Sequence, residues 1–146
     1  MTDRQPTPRR PLPVPDERSA PYWEAAARHV LALARCARCR EFAIPPDQTC
    51  PHCRSTSPEF AFEPVSGTGR VRSWTIVRQS SLPGFAQDVP FVLVDVELDE
   101  QAELRMIGRL LDGPDAELHI GDRVAVAFED VADGVSIPAF VLGGAA

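Results

Sequence analysis

All four cysteines of the chain lie in "CARCREFAIPPDQTCPHC", as two C-x-x-C pairs: Cys36 with Cys39, and Cys50 with Cys53. Each C-x-x-C turn points two thiolates at one spot while its backbone amides offset their charge, and two turns complete the tetrahedron that a soft-ligand metal prefers. Zinc is the expected metal; a rubredoxin-like iron site and a thiol redox pair are the alternatives. Four sulfurs close the shell and leave no position for water, which argues against hydrolytic zinc and for a structural clamp. A site of this kind contributes on the order of 10 kcal/mol to folding a module too small to hold itself together. His52, inside the second turn, is expected to point away from the sulfurs and not to be a ligand.

Little else in the chain reads as catalytic. His29 and His119 are far apart in sequence, and no G-x-S-x-G, H-E-x-x-H, phosphate-loop or dinucleotide glycine pattern occurs. His29 ends a predicted helix, where a cation is favourable, and His119 sits in a turn. The expectation is therefore no catalytic residue and no independent enzyme. Two apolar features call instead for a partner or ligand. "SLPGFAQDVPF" is a long Pro/Gly loop predicted to expose Leu82 and Phe85, unless Phe85 folds back onto the sheet. "PYW" places Tyr22 and Trp23 on an Ala-rich helix, as interface anchors.

These residues need elements to carry them. Residues 1–15 hold five prolines and few large apolar side chains, so they read as a flexible or partner-bound tail. A helix is predicted over about 19–29, with Ser19 as N-cap and Pro21 in the first turn. "VLALAR" leads into the first cysteine pair and "EFAIPP" leads out, the strand, knuckle, strand layout of a zinc ribbon. After a connector, "STSPEFAFEPVSG", come five extended runs: "GRVRSWTIVRQ", "PFVLVDVEL", "ELRMIGRLL", "RVAVAFEDV" and "SIPAFVL". In the second, Val92, Val94, Val96 and Leu98 alternate with Phe91, Leu93, Asp95 and Glu97, the period of a sheet with one buried face. The fold class is mainly β: an N-terminal helix, a rubredoxin-like zinc ribbon and a small closed five-stranded barrel of OB type. The divisions are 1–15 tail, 16–60 helix and ribbon, 61–142 barrel.

Charge narrows the partners. The chain has 146 residues and a net charge of -6, with 12 Arg against 8 acids up to residue 78 and 3 Arg against 13 acids beyond it. The barrel half would repel phosphate backbones, so a single-stranded nucleic-acid binder is the weaker reading despite the basic strand "GRVRSWTIVR". Trp74 on that strand is either a stacking platform or core. There is no stretch of roughly 18 apolar residues and no signal-peptide core at the start, so a cytoplasmic protein without a membrane partner is expected.

The order of these pieces resembles a known family: "YW" on an N-terminal helix, "CARC", "PP", "CPHC", "SGTGRVRSWTIV", "PGF", "PFVLVDVEL" and "IGDRVAVAFEDV". It is similar to zinc-ribbon plus OB-fold proteins, long described as a domain of unknown function, that accompany thiolases and thiolase-like aldolases acting on acyl-CoA. The likeness runs over about residues 14–142. It implies a non-catalytic subunit of an acyl-CoA-processing complex, a heterodimer or heterotetramer whose catalytic residues belong to the thiolase-like partner. Relatives also occur fused to hotdog-fold hydratases in steroid side-chain degradation, so a hydratase subunit is the nearest alternative. On this sequence the resemblance makes Cys36, Cys39, Cys50 and Cys53 structural zinc ligands and Tyr22 and Trp23 partner anchors. Pro83, Gly84 and Phe85 become a loop near the substrate entrance, with acyl-CoA at or near the shared interface. Arg40 and Arg54 stand where the family usually has glycine.

Overall fold

The computed structural model describes residues 9–143; the first eight residues of the expected tail lie outside that range. From Arg9 to Pro15 the chain has no helix or strand, yet Arg10 is held by its guanidinium, 2.5 Å from Asp88.

Helix α1 spans Ala20–Ala27. Ser19 precedes it, but its hydroxyl does not cap the helix. It is engaged with Asp16, whose Oδ1 accepts from both the Ser19 amide and the Ser19 hydroxyl at 2.8 Å. These bonds hold the Asp16 carboxyl below its usual range. The helix closes as a Schellman turn: Val30 N–H donates to Ala25 O (3.0 Å) and His29 N–H to Ala26 O (2.8 Å), with His29 at φ 58°. Ala25 and Ala26 are almost fully buried, and with such small side chains α1 lies close against the sheets beneath it.

The ribbon is a three-stranded antiparallel sheet, in the order β2 (Phe42–Ala43), β1 (Ala32–Arg35), β3 (Ala61–Pro64). The third strand falls in the segment read as a connector. Its burial does not alternate and only the register with β1, Ala34 opposite Phe62, defines it.

The second sheet follows the order β6-β5-β4-β7-β8, all antiparallel: β4 is Thr68–Val77, β5 Phe91–Leu98, β6 Arg105–Arg109, β7 Arg123–Ala132 and β8 Val135–Leu142. All five expected strands are present, and β5 alternates as its sequence predicts, with Val92, Val94, Val96 and Leu98 inside. The closed barrel is a correction. The outer strands β6 and β8 meet at one parallel bridge, Leu110 to Phe140, rather than along a continuous ladder. They come this close because Gly108 has no side chain: a Cβ there would stand 2.8 Å from the buried Phe140 ring.

One core serves both sheets. Leu31, Leu33 and Phe42 of the ribbon region cluster with Val71, Val94, Val124 and Phe140 of the larger sheet, and Tyr22 packs against them. No helix among the described residues is long and apolar enough to cross a membrane.

Candidate metal centre and partner-facing surfaces

The two cysteine turns are copies of one another. Arg40 N–H donates to Cys36 O and Arg54 N–H to Cys50 O, both at 2.9 Å. Arg38 N–H donates to Cys36 Sγ and His52 N–H to Cys50 Sγ, both at 3.4 Å. The pairs are closed by Cys36 N–H to Glu41 O (2.9 Å) and Cys50 N–H to Ser55 O (3.0 Å). Arg40 and Arg54 sit at φ 65° and 62°, the left-handed conformation that glycine adopts without strain. The arginines keep the knuckle shape and bear its backbone cost.

All four Sγ atoms lie within 4.8 Å of one another, with Cys36 to Cys53 at 3.9 Å and Cys39 to Cys50 at 3.7 Å. A tetrahedral zinc with Zn–S bonds near 2.3 Å needs sulfurs about 3.8 Å apart. The four residues fit the ion. Burial opposes ionisation of Cys50, but the backbone N–H groups of Cys53 and His52 and the adjacent thiols outweigh it, bringing this group down to about 6. The Glu41 backbone bond favours the Cys39 thiolate, yet burial and the other three thiols push Cys39 up to about 11. Thiols packed this tightly share protons, so a metal enters by displacing them. His52 is exposed, and its Nε2 lies 3.0 Å from Phe42 O, turned away from the sulfurs.

The predicted partner residues fall on two separate surfaces. Tyr22 and Trp23 meet edge to face, ring centroids 4.9 Å apart, at an apolar cleft of about 190 Å³ that Pro45, Pro46 and Phe62 also line. Tyr22 is half-buried against the shared core, and burial pushes its phenol up to about 12. On the other surface Leu82, 58% exposed, and Pro83 form the tip of the long loop, while Gly84 and Phe85 are half-buried. Phe85 therefore folds back: its ring lies 6.1 Å from Phe91 with the Arg10 guanidinium above it at 4.9 Å. The apolar group on display is Leu82.

Two matches decide what kind of chain this is. Residues 23–59 match the model described as "ChsH2, rubredoxin-like zinc ribbon domain", and residues 62–129 match "ChsH2, C-terminal OB-fold domain". The chain belongs to the ChsH2 zinc-ribbon and OB-fold family. The zinc-ribbon match makes zinc the structural ion of this fold, and Cys36, Cys39, Cys50 and Cys53 are the residues that would hold it. A chain of the solved structure called "Ltp2-ChsH2(DUF35) aldolase" is similar over 89% of this chain and 98% of its own, at 28% identity and a TM-score of 0.75. A protein from Thermomonospora curvata described as "Probable enoyl-CoA hydratase alpha subunit" is 30% identical over 142 residues, 96% of this chain. This chain spans 42% of that relative's length.

The two histidines outside the cysteine turns of this ChsH2-family chain both lie beside carboxylates. His29 stacks on Phe128, centroids 5.2 Å apart, and its Nε2 lies 2.7 Å from Asp130 Oδ1. Ser136 Oγ–H donates to the same Oδ1 at 2.6 Å. Serine, aspartate and histidine thus converge, but histidine and serine both face the carboxylate, so the imidazole cannot take the hydroxyl proton as a catalytic triad requires. His119 stays in its exposed turn beside Glu117 and Asp122.

Trp74 is 40% exposed, so it is not a core residue. A bulge between Val71 and Ser73 shifts the phase of β4, and β7 pairs with β4 only at Thr68–Arg70, leaving the far half of β4 uncovered. Two residues that matter were not singled out by sequence reasoning. Gln101, in the acidic turn after β5, bonds the ribbon backbone, and Arg10 holds the loop; neither carries a local signal.

Proposed function

We propose that this chain is a non-catalytic subunit of an acyl-CoA-processing complex, in which a thiolase-like partner performs Claisen or retro-aldol carbon–carbon chemistry. Acyl-CoA would be bound at or near the shared interface, its acyl group a fatty or steroid side chain. The observation that carries this reading is the near full-length likeness to a chain of the solved aldolase. The site chemistry supports it: the four thiols are committed to zinc, and the one Ser, Asp and His convergence among the described residues has the wrong connectivity. Tyr22, Trp23 and the Leu82–Phe85 loop are the surfaces assigned to the partner. Four cysteines with no disulfide between them suit the reducing cytoplasm.

A second reading has its own support. The Thermomonospora curvata relative is named as a hydratase subunit, so a hotdog-fold hydratase is the alternative partner. The nucleic-acid reading gains little: Arg72 pairs with Glu97, Arg105 with Asp95 and Arg123 with Asp99, so three of the sheet's basic side chains are already paired with carboxylates.

Co-expression with a thiolase-fold enzyme and, separately, with a hotdog-fold hydratase from the same genome neighbourhood tests both. The expected result is a stable complex with the thiolase-fold enzyme, carbon–carbon cleavage of a 3-hydroxyacyl-CoA by the complex, and no turnover by this chain alone. A complex formed only with the hydratase selects the second reading. Turnover by the isolated chain that falls with its own mutations overturns both.

A further inference from the structure

We propose that the N-terminal segment Arg9–Pro11 is a strap that sets the conformation of the Leu82–Phe85 loop, with Arg10 as its positioning residue. The loop between β4 and β5 is long and has little to hold it internally. Among the described residues its own bonds include Asp88 N–H to Phe85 O (3.0 Å) and Leu82 N–H to Ser80 Oγ (3.2 Å). The missing restraint comes from a segment more than 70 positions away.

Arg10 supplies it through three kinds of contact. Its guanidinium is 2.5 Å from Asp88 on the loop and 3.9 Å from Glu129 on β7. Arg109 on β6 reaches the same two carboxylates, both at 3.8 Å, so two cations and two anions alternate in a closed ring drawn from four segments. Side-chain exposures of 23–29% around the ring leave it less screened than surface pairs. Below the ring, Arg10 lies over Phe85 and Arg109 lies over Phe91, at 4.9 and 5.1 Å, with the two phenyl rings in contact.

The third contact is backbone against backbone. Gly84, at φ 82°, lies so close to the segment that a Cβ would stand 2.4 Å from Arg10 N and 2.8 Å from Arg10 Cα. Gly84 thus faces its own chain. The strap covers the base of the loop and leaves Leu82 and Pro83 at the tip exposed. A loop fixed before docking loses less conformational entropy when a partner arrives. This inference rests on the reading of the loop as partner-facing.

The test uses the full chain and the thiolase-fold partner, with Arg10→Ala, which removes the ring and the stack, and Gly84→Ala, which expels the segment while keeping every charge. Each is expected to speed hydrogen exchange at the Asp88 amide and to weaken partner binding, both about tenfold, equivalent to about 1.4 kcal/mol, with the melting temperature of the free subunit unchanged. The double variant should do no more than either alone, because both act by releasing the same segment from the loop. Arg10→Lys should recover part of the protection, keeping a charge but losing the planar stack. Unchanged exchange in both single variants overturns the strap. Faster exchange with unchanged affinity supports the strap as a holder of the loop and instead removes the loop from the partner surface. Tighter binding on loosening overturns the positioning role, because the segment would then be a competitor.

Discussion

Gln101 grips the backbone of Phe42: the Phe42 N–H donates to Gln101 Oε1 at 2.8 Å, and Gln101 Nε2–H donates to Phe42 O at 3.1 Å. One side-chain amide from the turn after β5 thus serves both backbone polar groups of a residue in β2, the two-residue edge strand of the ribbon. Phe42 is itself buried in the shared core, so its backbone groups need partners. Gln101→Ala is expected to cost about 1–3 kcal/mol, because it leaves a donor and an acceptor short of a bond. Gln101→Glu keeps the acceptor and loses the donor, and should fall between the two. Urea unfolding of the zinc-loaded subunit measures both, and zinc content should not change.

Zinc should be present at about one ion per chain when the protein is purified without chelator, since four thiolates fill a tetrahedral shell. Cys39→Ser, or removal of the ion by a strong chelator, forfeits stabilisation on the order of 10 kcal/mol in the ribbon and exposes Leu31, Leu33 and Phe42. Aggregation is the expected outcome. Elemental analysis with size-exclusion chromatography checks it, and a soluble, folded, metal-free variant would contradict the structural role.

Arg54 occupies a left-handed backbone position that costs a non-glycine residue about 1–2 kcal/mol. Arg54→Gly relieves that cost and adds about 0.5–1 kcal/mol of unfolded-state entropy, so the variant should be neutral or up to about 1.5 kcal/mol more stable. Arg54→Val should be clearly destabilised, because a β-branched side chain tolerates this conformation worst. Arg40→Gly is a less clean probe, since Arg40 also pairs with Glu63 at 3.1 Å. Thermal melts of the three variants provide the ranking.

Acid should weaken the junction of β4, β5 and β7. Asp99 accepts both Arg123 Nη groups (2.8 and 2.5 Å) and the Thr68 hydroxyl (2.6 Å), and these bonds, Arg123 first, hold its carboxyl down at about 2 from the ordinary 3.8. A depressed folded value stabilises the protein above the unfolded value and is lost as pH falls through the folded one, so this contribution disappears between about pH 4 and 2. The carboxylate is 36% exposed, so solvent screening limits the effect to about 1 kcal/mol or less. In Asp99→Asn the acid limb of stability against pH should be correspondingly flatter, as chemical denaturation from pH 5 to pH 2 would reveal.

Tyr22 and Trp23 should separate by role. Tyr22 packs on the core, so Tyr22→Ala is expected to destabilise the free subunit by about 2–3 kcal/mol. Trp23 lies beside it at the open cleft, and Trp23→Ala should leave the melting temperature nearly unchanged while weakening the partner complex by about 2 kcal/mol, roughly thirtyfold. Binding measured by calorimetry, beside melts of the free variants, distinguishes the two. If Trp23→Ala binds as the wild type does, the cleft is not the docking surface.

Some of this protein is written locally and could be read from the chain. The zinc ligands follow from two short turns whose geometry needs only neighbouring residues, and Cys36, Cys39, Cys50 and Cys53 do meet within 4.8 Å. The buried face of β5 follows from its period of two, and α1 from its alanines and the proline in its first turn. Where the pattern is interrupted, it misleads: a one-residue bulge in β4 shifts the phase and leaves Trp74 half in water. The rest depended on residues distant in the chain. β3 has no period of its own and is a strand because β1 offers it a free edge. How closely the outer strands meet was set by Gly108, which lets β6 approach Phe140, and one bridge joins them there. Gln101 is one polar residue in an acidic turn until Phe42 lies opposite, and Arg10 is one basic residue in a proline-rich tail until Asp88 and Glu129 surround it. Short-range periodicity and ligand spacing are properties of a few consecutive residues. Which distant groups satisfy one another is settled only when the shared core brings both sheets together.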